Sequence, residues 1–345
     1  MAAMTHRERR IVAGWLFLCA ALVFAIVLVG GITRLTRSGL SIVEWQPLIG
    51  ALPPLSEADW QALFAAYRDT PEFRLVNFDM TLAGFKTIFW WEYIHRLLAR
   101  GIGLVFFLPY LYFLLSKKLD RVLAWQLAGI FLLGAAQGAM GWIMVKSGLV
   151  DDPKVNPVRL MAHLGLALAI FSAELWLAMQ LVSTRKISLE RLFIPAIVFV
   201  MALSGGMVAG LRAGYAYNTF PLMNGHLVPP EVLMLEPWWR NFLYNMATVQ
   251  LVHRAFFWAL AVLIPIAWWR ARHTVAGNIL LGSFLLQATL GITTLLLGVP
   301  IGLGSAHQGG AVLLLGAALW YARSEKEGVR TLFPMSYAQL REKGS

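Results

Sequence analysis

Cysteine is almost absent from this chain, in which Cys19 is the single cysteine among 345 residues. One thiol cannot form an intramolecular disulfide, so the fold cannot depend on disulfide cross-links. Cys19 also lies inside a long apolar segment, where a cysteine usually behaves as a small apolar packing residue. We therefore expect Cys19 to have a structural role.

Charge is also scarce. Charged residues make up 14% of the chain, against about 25% in an average soluble domain, and 59% of the residues are hydrophobic. Apolar runs close to the ~20 residues that cross a bilayer as a helix recur along the chain. The first run has no small-residue cleavage site leading into a soluble domain, which argues against a cleavable signal peptide. The sequence predicts an all-α membrane protein with eight transmembrane helices, at about 11–33, 89–115, 121–145, 157–182, 191–211, 243–269, 276–299 and 304–322.

Acidic residues are fewer than basic ones, which gives a net charge of +11. When alternate connections are assigned to opposite sides of the membrane, sixteen Lys and Arg residues fall on one side and ten on the other. The richer side holds both termini and the shortest connections. The positive-inside rule therefore predicts a multi-pass membrane protein with both termini in the cytoplasm. No nucleic-acid motif accompanies the basic charge, so we expect no nucleic-acid partner.

The longest predicted outer loop, 34–88, contains a short amphipathic helix. Ser56 followed by Asp59 resembles a helix capping pair. The spacing of the apolar residues that follow predicts a helix with one apolar face, formed by Trp60, Leu63, Phe64 and Tyr67. This helix is expected at the outer membrane surface or as a lid on the transmembrane helices.

An internal repeat divides the chain. Each half contains a glycine pair, an x-His-Arg segment, a Gln with a Gly four residues later, and a second histidine. The matching segments are GGITRLTRSG (30–39) with GGMVAGLRAG (205–214), EYIHR (92–96) with QLVHR (250–254), Gln137/Gly141 with Gln287/Gly291, and MAHLGLAL (161–168) with SAHQGGAV (305–312). The repeat predicts two pseudo-repeated four-helix bundles, residues 1–185 and 186–345, formed by helices 1–4 and 5–8.

Four of the seven histidines lie inside predicted transmembrane helices at equivalent positions of the repeat. Each is about four to ten residues below the outer end of its helix, or roughly 6–15 Å deep. An ionisable group at that depth needs a partner, which makes four matched packing histidines an unsatisfactory explanation. These residues are His95, His163, His253 and His307. The other three, in predicted loops, are expected to be solvated.

Two histidines per bundle suit haem better than zinc. A zinc site normally takes three or four ligands, whereas a haem takes one or two axial ligands within an apolar slot. Glycines on the neighbouring helices would let a flat ring approach the backbone, although close helix packing explains them equally well. All four histidines lie toward the same face. Two haems side by side favour chemistry between neighbouring sites over conduction across the membrane.

The two halves differ beside their first histidine. Glu92 stands three residues before His95, on the same helix face, whereas Gln250 occupies the equivalent position before His253. An unpaired carboxylate there would be costly and suited to proton transfer. The alternative is a structural salt bridge with Arg96 or Arg100. The difference suggests a catalytic haem site in the first half and a cofactor haem site in the second.

At the level of whole motifs, the chain resembles the haem A synthases of the proteobacterial and mitochondrial type. The resemblance covers most of the chain, including the contexts of His163, His253 and His307. Its longest segments are GGITRLTRSGLSIVEWQPLIGALPP (30–54), MTLAGFKTIFWWEYIHRLLAR (80–100) and YNTFPLMNG (217–225). Some bacterial members carry a cysteine pair in the first outer loop, which this chain lacks. The resemblance therefore does not extend to thiol-based electron input.

The resemblance implies an oxidoreductase that converts the C8 methyl group of haem O into the formyl group of haem A for cytochrome oxidase. It implies that His95 and His163 bind the substrate haem, that His253 and His307 bind a haem b that relays electrons, and that Glu92 is catalytic. The iron ligands would be these four histidines. The reaction would proceed by two hydroxylations and loss of water from a geminal diol.

The resemblance also suggests haem O synthase and cytochrome oxidase assembly factors as partners, besides an electron donor and the lipid bilayer. It leaves formation of a homo-oligomer open. Arg34, Arg37 or Arg212 could pair with haem propionates. Two alternatives remain open: a quinone-linked dihaem cytochrome b with bis-histidine ligation, and a haem carrier. Glu92 favours an enzyme over both.

Overall fold

The computed structural model describes residues 4–44, 49–149, 153–183 and 189–324. Within these ranges the chain is almost entirely helical, and no strand is formed. Short 3₁₀ turns join some of the helices. The eleven α-helices are α1 (His6–Leu35), α2 (Glu57–Arg68), α3 (Pro71–Leu75), α4 (Leu82–Leu115), α5 (Arg121–Gly148), α6 (Pro157–Val182), α7 (Phe193–Leu211), α8 (Asn241–Tyr244), α9 (Met246–Ala271), α10 (Val275–Leu296) and α11 (Ile301–Arg323).

Eight of these helices are long and apolar enough to cross a membrane, which confirms the predicted multi-pass, all-α membrane protein. The largest difference from the prediction is at α4, which begins at Leu82 rather than near residue 89. The Thr81 side chain accepts a hydrogen bond from the Gly84 backbone and caps the helix there. An apolar pattern marks the membrane-buried part of a helix, so it missed the two turns that extend beyond it.

The long connections of the chain lie at one end of the helices, which we call the long-loop end. Residues 36–44, 49–81 and 212–245 form most of it. Helix α2 begins there with the predicted Ser56–Asp59 capping box. Its Trp60 and Tyr67 are buried against α4, where the Trp60 and Phe89 ring centroids are 4.9 Å apart. Of the two placements expected for α2, packing on the transmembrane helices is the one observed.

The transmembrane helices pack as two similar groups. In the first, α1 packs against α4 and α6, and α5 packs against α6. In the second, α7 packs against α9 and α11, and α10 packs against the same two helices. The groups meet where α1 contacts α11 and α6 contacts α7. This arrangement is the one that a twofold repeat would give. It supports the division at residues 185 and 186, which stays a prediction.

The main apolar core fills the end of the helices opposite the long loops. Trp15 lies within it, with its ring centroid 5.2 Å from that of Phe106, and its indole N–H donates to the Val105 carbonyl at 2.8 Å. A second apolar cluster joins α2 to the first turns of α4 at the long-loop end. His95 lies between these clusters along α4, so the packed regions above and below fix its position.

Candidate functional site

Each of the four histidines packs against a glycine of a neighbouring helix. A Cβ atom added to Gly30 would lie 3.2 Å from His95 Nε2, and one added to Gly205 would lie 3.3 Å from His253 Cε1. The second histidine of each half has the same relation to α5 or α10. Added Cβ atoms would lie 3.1 Å from His163 Cε1 at Gly141 and 2.7 Å from His307 Cε1 at Gly291. Side chains at these glycines would displace the imidazoles.

The glycine contacts follow the internal repeat. Gly30 and Gly205 open the repeated Gly-Gly segments, whereas Gly141 and Gly291 follow the repeated glutamines by four residues. The histidines also form two pairs, because His95 interacts electrostatically with His163, and His253 with His307. All four side chains are partly exposed although they lie on bundle helices.

One predicted depth was wrong. His95 lies thirteen residues after the first residue of α4, about 20 Å along the helix, whereas the other three lie six or seven residues into theirs. The cause is the extension of α4 beyond the apolar segment. The glycine contact shows that His95 nevertheless occupies the place in its bundle that His253 occupies in the second.

Polar side chains contact two of the rings and the backbone of a third histidine. The Ser204 hydroxyl lies 2.8 Å from His253 Nδ1, and Gln137 Nε2 lies 3.4 Å from His163 Nε2. Gln287, the counterpart of Gln137, donates to the backbone carbonyl of His307 at 2.9 Å. The Nδ1 atoms of His163 and His307 are buried without a hydrogen-bond partner among the described residues.

Glu92 is the most completely paired group of the site. It is 2% exposed, and its Oε1 accepts from Arg96 Nη2 at 2.6 Å. Its Oε2 accepts from the Ser41 hydroxyl at 2.7 Å and from the Ile42 backbone N–H at 2.8 Å. The expectation of an unpaired carboxylate was therefore wrong, and the salt-bridge alternative with Arg96 is the one observed. Three donors at short distance hold its two oxygens in place.

The second half repeats this arrangement with a neutral amide. Gln250 is 3% exposed; its oxygen accepts from Arg254 Nη2 at 3.1 Å, and its Nε2 donates to the Ala213 carbonyl at 3.0 Å. Arg254 is thus the counterpart of Arg96, four residues after the acidic or amide side chain. Both halves keep the contact between this side chain and the arginine four residues later, but the side chain is a carboxylate in the first half and a neutral amide in the second.

Both arginines also bind the long loops at equivalent positions. Arg96 donates to the carbonyls of Ile42 and Glu44, at 3.0 and 3.3 Å. Arg254 donates to the carbonyls of Tyr217 and Thr219, at 3.0 and 2.9 Å. In the repeat, residues 42 and 44 correspond to 217 and 219. Helices α4 and α9 therefore each fix the loop above them through the arginine that follows their histidine.

Comparison with known proteins shows which family the chain belongs to. The family model for a cytochrome oxidase assembly protein matches residues 13–319 of the chain. A haem A synthase of Nitrosospira multiformis is 58% identical over 326 residues, which cover 90% of this chain and 92% of that protein. The chain belongs to the haem A synthase family. Other members are the haem A synthases of Nitrosomonas eutropha, at 52% identity with 90% and 93% covered, and of Parvibaculum lavamentivorans, at 45% with 92% and 95% covered.

This member of the haem A synthase family also buries a second carboxylate near the site, which no sequence pattern predicted. Glu72, in the short helix α3, is 5% exposed and interacts electrostatically with Glu92. Burial, followed by the nearby negative charge, raises the pKa of Glu72 to about 7. A carboxylate in a polar loop carries no periodicity or motif that would predict its burial, because that burial depends on how α3 folds under α2.

Arginines surround this carboxylate at the long-loop end. Arg37 and Arg212, at equivalent positions of the repeat, share a left-handed φ of 55° and interact with Glu72. Arg34 donates to the Ala209 carbonyl at 3.2 Å and so joins the two halves. The three arginines that the sequence offered as propionate partners therefore meet in one region. Their pairing with propionates stays a prediction.

Proposed function

We propose that this protein oxidises the C8 methyl group of haem O to the formyl group of haem A. In this proposal His95 and His163 bind the substrate haem, and His253 and His307 bind a haem b. Membership of the haem A synthase family supports a role in haem A biosynthesis. One observation supports the division of labour: both halves hold a glycine-packed histidine pair, and only the first sets a charged carboxylate beside it.

The residues of the second half fit a haem held by two imidazoles. Ser204 donates its only hydroxyl hydrogen to the Met201 carbonyl at 2.7 Å, so toward His253 it accepts a hydrogen bond from Nδ1–H. Nε2 of His253 is then the unprotonated nitrogen, the form that binds iron. His307 offers a buried Nδ1 without a partner among the described residues. When bound, a haem b would supply one-electron transfer.

The first half departs from this pattern in ways that suit a substrate. Val29 occupies the position equivalent to Ser204, so His95 has no serine there to fix its ring. Glu92 contributes a charged carboxylate that Gln250 cannot provide. Because Ser41, Ile42 and Arg96 hold its two oxygens, the group stays in one orientation. During methyl oxidation the Glu92 carboxylate would act as the proton-transfer group, in the orientation that these three donors hold.

Haem identification tests the proposal. We expect membranes that contain this protein together with a source of haem O to yield haem b with haem O, a hydroxylated haem or haem A. Extraction from the purified protein, chromatography and mass determination would identify them. Haem b alone, at two per chain, would contradict the proposal and indicate the electron-transfer cytochrome. Absence of any haem from protein with all four histidines would contradict both.

Location and partners follow as part of the proposal. Family membership supports a location in the cell inner membrane, and the charge distribution supports both termini in the cytoplasm. In that orientation the long-loop end and the site would lie at the outer face. Haem O synthase, as the source of the substrate, and cytochrome oxidase assembly factors, as recipients of the product, stay predicted partners.

A further inference from the structure

The two halves differ in how the helix of the first histidine packs against the next helix, that is, α4 against α5 and α9 against α10. In the second half, Phe257 of α9 stacks on Phe284 of α10, with ring centroids 6.2 Å apart and an interplanar angle of 20°. Phe284 is 6% exposed, and Phe220 from the long loop packs on Phe257 at 5.9 Å. We call Phe257 and Phe284 the aromatic plug. It fills the space between α9 and α10 one turn from His253 and from Gln287.

The first half has no such plug at the equivalent positions. The alignment of His95 with His253 places Ala99 opposite Phe257, and that of Gln137 with Gln287 places Gly134 opposite Phe284. Both small residues are exposed. A Cβ atom added to Gly134 would have no neighbouring atom within 4 Å among the described residues. The space that two phenylalanines fill in one half is therefore open in the other.

The open space between α4 and α5 at Ala99 and Gly134 continues along α5. From residue 131 to residue 147 no side chain of α5 is buried, whereas α10 keeps buried residues along its length, including Phe284, Gln287 and Thr294. Contacts between α4 and α5 lie toward the end opposite the long loops: the Phe107 and Phe131 rings are 5.2 Å apart, and Tyr110 donates to the Ala124 carbonyl. The open side thus begins beside the first histidine pair and faces the surroundings of the bundle.

The chemistry of the two haems indicates the occupant. In the proposed function, on which this inference rests, the first half binds haem O and the second binds haem b. These molecules differ by the long prenyl tail of haem O, which is apolar and favours a lipid-like environment over a polar one. The side chains beside the opening, such as Leu97 and Leu104, are apolar and exposed, and a membrane surrounds them.

We propose that the opening between α4 and α5, kept clear by Ala99 and Gly134, receives the prenyl tail of the substrate haem. The aromatic plug closes the equivalent side of the second half against a tail. The two bundles would then select their haems by the presence or absence of one cleft, in addition to the charge of Glu92. Because the cleft opens sideways, the tail can remain in contact with lipid while the macrocycle lies between the histidines.

The test introduces a phenylalanine into the first half at the position equivalent to Phe284. Gly134→Phe would be purified with haem b in its second half and titrated with haem O and, separately, with haem b, while the optical spectrum is recorded. We expect haem O affinity at the His95 and His163 site to fall about tenfold or more, because an aromatic ring fills the tail position, and haem b affinity there to stay within about threefold of wild type. Gly129→Phe is the matched control, since Gly129 is also exposed on α5 with no neighbour within 4 Å of an added Cβ.

Three results would overturn the inference: unchanged haem O affinity in Gly134→Phe, an equal loss of both haems, or the same loss in Gly129→Phe. Ala99→Phe gives an independent plug from α4 if Gly134→Phe does not accumulate. The reciprocal change Phe284→Gly should let the second half accept haem O. Wild-type protein that binds neither haem through His95 and His163 would contradict the proposed function itself, whatever the effect of the tail.

Discussion

The substitution Glu92→Gln separates the two roles that the site gives this residue, namely its ion pair and its charge during the reaction. Glutamine keeps the volume and one acceptor oxygen, so Arg96 can retain a partner. The second half shows that this contact is stable, because Gln250 accepts from Arg254 at 3.1 Å. Glu92→Gln in effect gives the first half the side chain of the second.

The stability cost follows from the contacts that cannot be kept. Two carboxylate oxygens accept from Arg96, Ser41 and Ile42, whereas an amide has a single oxygen. Its NH₂ group would face at least one donor, and a buried donor without an acceptor costs about 1–3 kcal/mol. Removing one partner of a buried ion pair altogether costs about 3–5 kcal/mol, so Glu92→Ala should be the less stable variant.

The effect of Glu92→Gln on haem A formation should be larger than its effect on stability. If the carboxylate accepts a proton during methyl oxidation, haem A formation should fall by about 10²–10⁴-fold, the usual contribution of a general acid or base. Glu92→Gln should still bind haem in both halves and should accumulate haem O or a hydroxylated intermediate. The assay is haem extraction and chromatography, with haem A expressed per molecule of folded protein.

Expressing haem A per molecule of folded protein distinguishes a structural role of Glu92 from a catalytic one. A loss of haem A that only follows the loss of folded protein would show that Glu92 has a structural role alone. Near-normal haem A formation per folded Glu92→Gln molecule would refute the catalytic role. Gln250→Glu is the matched control in the second half, where a carboxylate should not change the reaction product.

Three further predictions concern topology, ligation and pH. Reporter fusions at Lys118 and Arg272 should read cytoplasmic and those within 56–74 should read outside; any reversal would place the site at the other face. His253→Ala should lower tightly bound haem b while the first bundle stays folded, and a full, spectrally unchanged haem b content would show that the second bundle is not the cofactor site. Burial raises the pKa of Glu72 from its ordinary value of 4.5 to about 7, so its ionisation destabilises the folded protein as the pH rises between those values, by up to about 3 kcal/mol. Glu72→Gln should therefore raise the Tm at pH 8 more than at pH 5, and equal shifts at both pH values would contradict the burial effect.

The motifs of the chain are specific enough to indicate the family by resemblance, and the match to known haem A synthases confirms it. Hydropathy alone placed the eight membrane helices, because burial in lipid requires an unbroken apolar segment whatever the neighbours are. The capping box of Ser56 and Asp59 was equally local and was correct. The start of α4 was placed too late, because its first turns leave the apolar region and depend on the Thr81 cap and on α2.

Contacts between segments distant in the chain could not be predicted from the sequence. The residue types and spacing favoured a free carboxylate at Glu92 and left a salt bridge with Arg96 or Arg100 as the alternative. The decision came from residues about fifty positions earlier, since the loop at Ser41 and Ile42 folds onto α4 and supplies two more donors. Glu72 was missed for the same reason, because its burial is a property of the folded loop.

The membrane class, the eight membrane-spanning helices, the four intramembrane histidines and the difference between Glu92 and Gln250 could all be predicted from the sequence. These features depend on local composition and on comparison of the two halves, which need no knowledge of packing. The tertiary structure decided which glycine each imidazole touches, that Glu92 is paired, and that an aromatic plug closes one bundle while Ala99 and Gly134 leave the other open. Such contacts depend on the relative rotation and depth of neighbouring helices, and only close packing of the whole bundle fixes these.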